Sequence, residues 1–191
     1  MRAFLCVPVE PEIAASIDRI ARDLRDAARM RASWVSRGNL HVTLRFLGEI
    51  DPLLTIDLQK AVRGAVRRLE PFKLTLDRLG GFPSIGRARI LWIGGEASPA
   101  FHGLASSLQH ELRKLGFSSD RRPTVAHVTL ARIKGRPDPE LPRLVDRLQP
   151  FAPLTIHADR IVLMESVLTP SGAIYTPLFT TRLRRSDDDG G

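Results

Sequence analysis

Residues Arg2 to Val9 alternate between the apolar and polar faces of a strand, and Pro8 and Pro11 close the run. From Pro11 to about Arg29 the period changes. Ile13, Ile17, Ile20 and Leu24 recur at helical spacing, with acids early and arginines late. Trp34-Val35 and Leu40 to Ile50 read as extended, and Thr55 to Leu69 returns to a helical stripe through Ile56, Leu58, Val62, Val66 and Leu69. Phe72 to Leu79 and Arg89 to Gly94 read as strands joined by the turn-rich Gly80-Gly81-Phe82-Pro83-Ser84. The pattern then begins again. Pro99 to Leu115 is a helix stopped by Gly116, Val125 to Ile133 a strand, and Pro139 to Leu148 a short helix between prolines. Leu154–His157, Arg160–Leu168 and Ile174–Leu183 complete the strands.

Strand, helix, histidine-bearing strand, helix, strand, strand therefore occurs roughly twice. That order predicts an α+β fold of two similar lobes facing each other and argues against a parallel βαβ sheet. No period of 20–50 residues is evident, which excludes a solenoid. Residues 1–183 are expected to form a single bilobal domain, and 184–191, with Asp187-Asp188-Asp189, a solvated, disordered tail.

Composition narrows the class. The chain has 191 residues, 43% hydrophobic and 26% charged, which suits a globular protein with a real core. Its single cysteine, Cys6, rules out an internal disulfide and reads as a small buried hydrophobe. With no signal-peptide pattern at Met1-Arg2-Ala3-Phe4 and no run of about 20 apolar residues, a cytoplasmic protein is expected, without membrane partner. The formal charge is +8, from 29 Lys+Arg against 21 Asp+Glu, and most of the cations are arginine. Arginine's planar fork favours phosphate, so a nucleic-acid partner is one reading and mere solubility the other.

The chemistry is carried by a repeated tetrad. His41-Val42-Thr43-Leu44 returns as His127-Val128-Thr129-Leu130, so two of the five histidines have the same three followers. On a strand, His41 and Thr43 share one face while Val42 and Leu44 anchor the other. Two such strands across a cleft would surround a small anion with two imidazoles and two hydroxyls. Phosphodiester cleavage needs a base for the nucleophile and an acid for the leaving oxygen, and a histidine near its ordinary pKa of about 6.5 serves as either. Thr43 and Thr129 can donate to non-bridging oxygens as charge grows. Neither tetrad adjoins a carboxylate, and no H-E-x-x-H or cysteine pair is present, so no metal or other cofactor is expected. His102, His110 and His157 read as surface or hydrogen-bonded residues, and Trp34 and Trp92 as core.

These tetrads, with Trp34-Val35, Asn39-Leu40, Arg45-Phe46-Leu47-Gly48, Gly81-Phe82-Pro83, Leu91-Trp92, Leu115-Gly116-Phe117, Ala131-Arg132 and Leu163-Met164-Glu165-Ser166, resemble the 2H phosphoesterases. Within them the chain is most similar to bacterial and archaeal RNA 2′,3′-cyclic phosphodiesterases, also called 2′-5′ RNA ligases. The resemblance spans Arg2 to about Leu183. It implies two pseudo-symmetric lobes, each an antiparallel sheet with helices on its outer face, and a cleft between them. It implies hydrolysis of a terminal ribose 2′,3′-cyclic phosphate to a 2′-phosphate, His41 giving the leaving 3′-oxygen its proton and His127 activating water. Run backwards, with a 5′-hydroxyl in place of water, the reaction would make a 2′-5′ linkage. The implied partners are RNA with cyclic phosphate ends, tRNA halves among them, or small cyclic nucleotides. No obligate protein partner is implied, and a monomer is assumed.

One departure stands out. The family usually places proline directly before the second histidine; here Thr124-Val125-Ala126 precede it, which bears on substrate fit and loop rigidity more than on proton transfer. Arg132 is implied at the phosphate, yet strict alternation turns it away from His127 unless a bulge intervenes. For Arg45 as for Arg132 two readings stand, a substrate contact or a surface cation. Phe82 either stacks on a base or packs, and Arg121-Arg122 is a candidate grip on RNA backbone. Two rival readings remain open: a 2H enzyme acting on another cyclic or 2′-5′-linked nucleotide, and a non-catalytic RNA-binding module.

Overall fold

The computed structural model describes residues 1–119, 125–170 and 172–184. Arg121-Arg122 and nearly all of the acidic tail lie outside the described residues. Strand β1 (Arg2–Pro8) leads into α1 (Pro11–Ala27), which has proline in its first turn and buries Ala14, Ile17, Ala21 and Leu24. β2 (Ala32–Trp34), β3 (His41–Glu49), α2 (Thr55–Val66), β4 (Phe72–Leu76) and β5 (Arg78–Phe82) follow. Then come β6 (Ile90–Gly94), α3 (Pro99–Lys114), β7 (His127–Ile133), α4 (Leu141–Leu148), β8 (Leu154–Ala158), β9 (Arg160–Thr169) and β10 (Gly172–Arg182). The Ser98 hydroxyl caps α3 by accepting from the Phe101 N–H at 3.2 Å. Gly116 follows with φ +86, the left-handed conformation that ends helices. No helix among the described residues is long and apolar enough to cross a membrane.

The main sheet is antiparallel throughout, in the order β10-β9-β1-β3-β7-β6-β5, with β2 also paired to β7; β4 and β8 form a separate ribbon. Its halves meet between β3 and β7, where Val42 pairs with Val128, both fully buried. Among the described residues the four α-helices pack on one face. Under α2 and α3 a core gathers Ala3, Leu5, Leu58, Val62, Leu104, Leu108 and Leu163; under α1 and α4 another gathers Ile17, Leu24, Leu91, Ile93, Val128 and Leu141. Each fully buried leucine or isoleucine contributes about 1.5–3 kcal/mol.

The sequence repeat and the halves of the sheet do not coincide. β1 pairs with β3 from its own repeat but with β9 from the second, while β6 pairs with β7 and with β5 from the first. Likewise α3 joins α2, and α1 joins α4. The two repeats are thus interleaved, each half of the sheet drawing on both.

One expected turn is a strand. Gly80-Gly81-Phe82 belongs to β5, paired with β6. The glycines serve close approach: a Cβ on Gly80 would lie 2.2 Å from the Trp92 ring, and one on Gly81 2.7 Å from the Ala88 Cβ. Phe72 to Leu79, read as a single strand, divides between β4 and β5 in different sheets.

Candidate active site

The open face of the sheet carries the tetrads. Because Val42 pairs with Val128 and both point to the helices, their flanking residues face the other way: His41 beside Thr129, Thr43 beside His127. The histidines are diagonal neighbours on adjacent strands, with Cβ atoms about 7 Å apart. Both are held alike. His41 Nδ1 donates to the Asn39 carbonyl at 2.7 Å, and His127 Nδ1 donates to the Val125 carbonyl at 2.8 Å. A carbonyl can only accept, so each neutral ring carries its proton on Nδ1 and keeps the Nε2 lone pair for chemistry.

Both rings are depressed below the ordinary histidine value of 6.5. Burial is the main cause for each, partly offset by the carbonyl bond; the Arg132 guanidinium depresses both, and the His127 ring also depresses His41. Three cationic or potentially cationic groups therefore share one space. Aromatic rings wall it. Phe4 stacks on His41 with centroids 4.8 Å apart, and Tyr175 meets it edge-on at 5.4 Å. Phe82 meets His127 edge-on at 5.0 Å, with Trp92 6.0 Å away.

The parity of the arginines is set by bulges. In β7, Trp92 pairs with Thr129 but Leu91 with Ala131, so Leu130 is an extra residue. Leu130 and Ala131 both turn into the core, and Arg132 emerges on the histidine face. β3 is bulged at the same step, Cys6 pairing with Thr43 and Leu5 with Arg45, so that Leu44 is extra. Arg45 lies one residue closer to its histidine than Arg132 does. It therefore faces the helices, where its guanidinium donates to the Ser118 carbonyl, and Phe46 takes the position equivalent to Arg132, 6.0 Å from Phe4.

The structure thus brings together His41, His127, Thr43, Thr129, Arg132 and Phe82, and takes Arg45 elsewhere. Trp92, read as core, instead walls the cleft; Trp34 does pack on the core. Tyr175 and Phe4 were not singled out from sequence, although the lone tyrosine of the chain was a usable signal. Asn39 also gains a role: its side-chain amide donates to the Ala173 carbonyl at 2.7 Å, tying β10 to the turn that orients His41. His102, His110 and His157 are exposed, and burial pushes the Cys6 thiol up to about 12.

One imidazole and one hydroxyl from each of two equivalent strands, with an arginine whose charge reaches both rings, suit proton transfer on an anion. The class that such an arrangement defines is the two-histidine phosphoesterases. Comparison with known proteins agrees. Residues 7–92 and 95–175 match the family model described as LigT-like phosphoesterase. The RNA 2′,3′-cyclic phosphodiesterase of Methanothermobacter thermautotrophicus is 33% identical over 184 residues, which is 96% of this chain and 99% of that protein. That of Thermotoga maritima is 32% identical over 94% of each. Among solved structures, TT0787 of Thermus thermophilus superposes with a TM-score of 0.77 at 28% identity, covering 97% of this chain and 100% of that one. Escherichia coli LigT complexed with 3′-AMP superposes at 0.73 and 26% identity, covering 96% and 98%. This chain belongs to the LigT-like phosphoesterase family.

Proposed function

We propose that this protein is an RNA 2′,3′-cyclic phosphodiesterase, opening the terminal cyclic phosphate to a 2′-phosphate with His41 and His127 as its acid–base pair. The observation that carries this reading is the matched tethering of the two rings, each fixed through Nδ1 to the carbonyl two residues before it. Relatives bearing that name along nearly the whole chain support the substrate.

In the proposed reaction a water oxygen attacks phosphorus while neutral His127 Nε2 takes its proton. The bond from phosphorus to the ribose 3′-oxygen breaks in line, and charged His41 gives its Nε2 proton to that oxygen. The 2′-phosphate and 3′-hydroxyl leave, and exchange with solvent restores both rings. Arg132 and the Thr43 and Thr129 hydroxyls hold the non-bridging oxygens as their charge rises. No step runs through a metal, so EDTA should leave turnover intact. With a 5′-hydroxyl in place of water and the sequence reversed, the same groups would form a 2′-5′ linkage.

The decisive experiment supplies an oligoribonucleotide ending in a 2′,3′-cyclic phosphate and locates the new monoester. A 2′-phosphate is expected. A 3′-phosphate, or turnover that survives His41→Ala or His127→Ala nearly undiminished, overturns the mechanism.

A further inference from the structure

Beyond Thr129, the end of β7 and the residue that follows it carry a file of cations along the open face. The Leu130 bulge brings Arg132 there; Ile133 then returns to the core, and alternation sends Lys134 back out. The residue before β2 adds a third cation. Ala32 pairs with Ile133, both packed on the core, and the Lys134 N–H donates to the Arg31 carbonyl at 2.7 Å, so Arg31 stands beside Lys134 on the same face. Arg31, Arg132 and Lys134 are all exposed, and none has an ion-pair partner among the described residues. The carboxylates next along the chain are engaged: Asp138 accepts the backbone N–H of Arg29 at 2.6 Å and of Glu140 at 2.9 Å, and Glu140 pairs with Arg143 at 3.0 Å.

The file has a direction. His41 lies beside Thr129, so the cations lead away from His41's end of the pair, where the proposed mechanism puts the ribose and its leaving oxygen. Along β7 a two-residue step is about 6.6 Å, a spacing the phosphates of an extended polynucleotide can match. The equivalent run of β3 offers nothing similar, since Phe46 replaces Arg132 and Arg45 faces the helices.

We propose that Arg31 and Lys134, continuing from Arg132, form a track for the phosphates of the single-stranded RNA upstream of the reacting terminus. This rests on the function proposed above. A cyclic mononucleotide would engage the histidine cleft alone, whereas an oligonucleotide gains the track.

The test compares wild type with Arg31→Gln/Lys134→Gln and with Arg63→Gln/Arg67→Gln, which removes two exposed cations on the helix-covered side. Binding of a fluorescein-labelled RNA decamer ending in a 2′-phosphate is followed by anisotropy at several salt concentrations. The track variant should bind on the order of tenfold more weakly at low salt, and its log–log salt slope should fall by about 1.4, from two lost phosphate contacts on a single strand. Turnover of a cyclic-phosphate-ended decamer should fall in parallel, while that of a nucleoside 2′,3′-cyclic monophosphate stays within about twofold. An unchanged slope, or an equal loss in the α2 variant, overturns the track. If wild type turns over neither cyclic substrate, the proposed function falls while the binding arm still decides the track. If the double variant does not fold, each single change should lower the slope by about 0.7.

Discussion

β3 and β7 carry the same residues as far as the bulge and different ones beyond it. Each presents a histidine and a threonine on the open face, buries the valine between them, and swells at the following leucine, so that the next residue also turns away from the cleft. The residue after that returns to the cleft side, and there β3 has Phe46 and β7 has Arg132. On the proposed mechanism, proton chemistry is therefore built twice, and the cationic grip once. The difference teaches that, on that mechanism, the two-fold relation governs the reacting atoms, while substrate recognition lies in the departures from it. β7, the His127 strand, leads past His41 into cations. β3, the His41 strand, leads into Phe46 and lies against Phe4 and Tyr175.

The largest effect should come from the part that is shared. His41→Ala and His127→Ala should each lower kcat on a cyclic-phosphate oligonucleotide by roughly 10²–10⁴-fold, with the double variant little worse than either single one. Steady-state kinetics checks this. A tenfold disparity between the two singles would mean that the strands are not chemical equivalents.

Next comes the part that is not shared. Arg132→Ala removes a charge-assisted contact worth about 1.5–3 kcal/mol, a loss of roughly 10–150-fold in kcat/KM. Arg45→Ala should leave kcat/KM within about twofold, since its guanidinium is bonded to the Ser118 carbonyl behind the sheet. Equal losses from the two arginines would show that bulge parity does not decide which one meets substrate.

A smaller effect tests how the aromatic walls are seated. Trp92 lies across Gly80, whereas Phe4 packs among Cys6, Val162, Met164 and Tyr175. Gly80→Ala forces a methyl into the Trp92 ring and should cost about 1–3 kcal/mol, read as a lower Tm, with a loss of turnover through the displaced His127 wall. A Tm within error of wild type would mean that the indole has room to move.

Local pattern was enough for the helices, for most strands and for the two tetrads, because period-2 alternation turns a string such as His41-Val42-Thr43 directly into two faces. What it left hidden was non-local. The choice of β9 as the outer neighbour of β1 depends on pairing across more than a hundred residues and leaves no short-range mark. Leu44 and Leu130 look like any strand leucine, so the bulges could be named as a condition for Arg132 but not located. Gly80-Gly81 carries the composition of a turn, and only the indole over Gly80 and the Ala88 methyl against Gly81 explain those glycines as strand. The walls formed by Phe4, Trp92 and Tyr175 come from three separate strands and meet only in the fold.

The smallest expected effect is a matter of pH, and it tests whether the one-sided arginine acts on both histidines. Burial and Arg132 hold both rings below 6.5, with His127 adding to the depression of His41. Catalysis needs one ring charged and one neutral. Well above 6.5 neither ring supplies a proton, and well below the folded values neither accepts one, so kcat/KM should trace a bell with its maximum below 6.5. Arg132→Lys keeps the charge and should keep the maximum, whereas Arg132→Ala removes a depressing charge from both rings and should move the maximum upward as the rate falls. Stability follows the same sign. The unfolded histidines bind protons first as the pH drops, so this contribution is complete above 6.5 and is lost as the pH falls through the folded values. Replacing either histidine with glutamine should flatten that part of the Tm-against-pH curve. A wild-type maximum above about 7, or a maximum that Arg132→Ala moves downward, would mean that the guanidinium does not share the histidines' space.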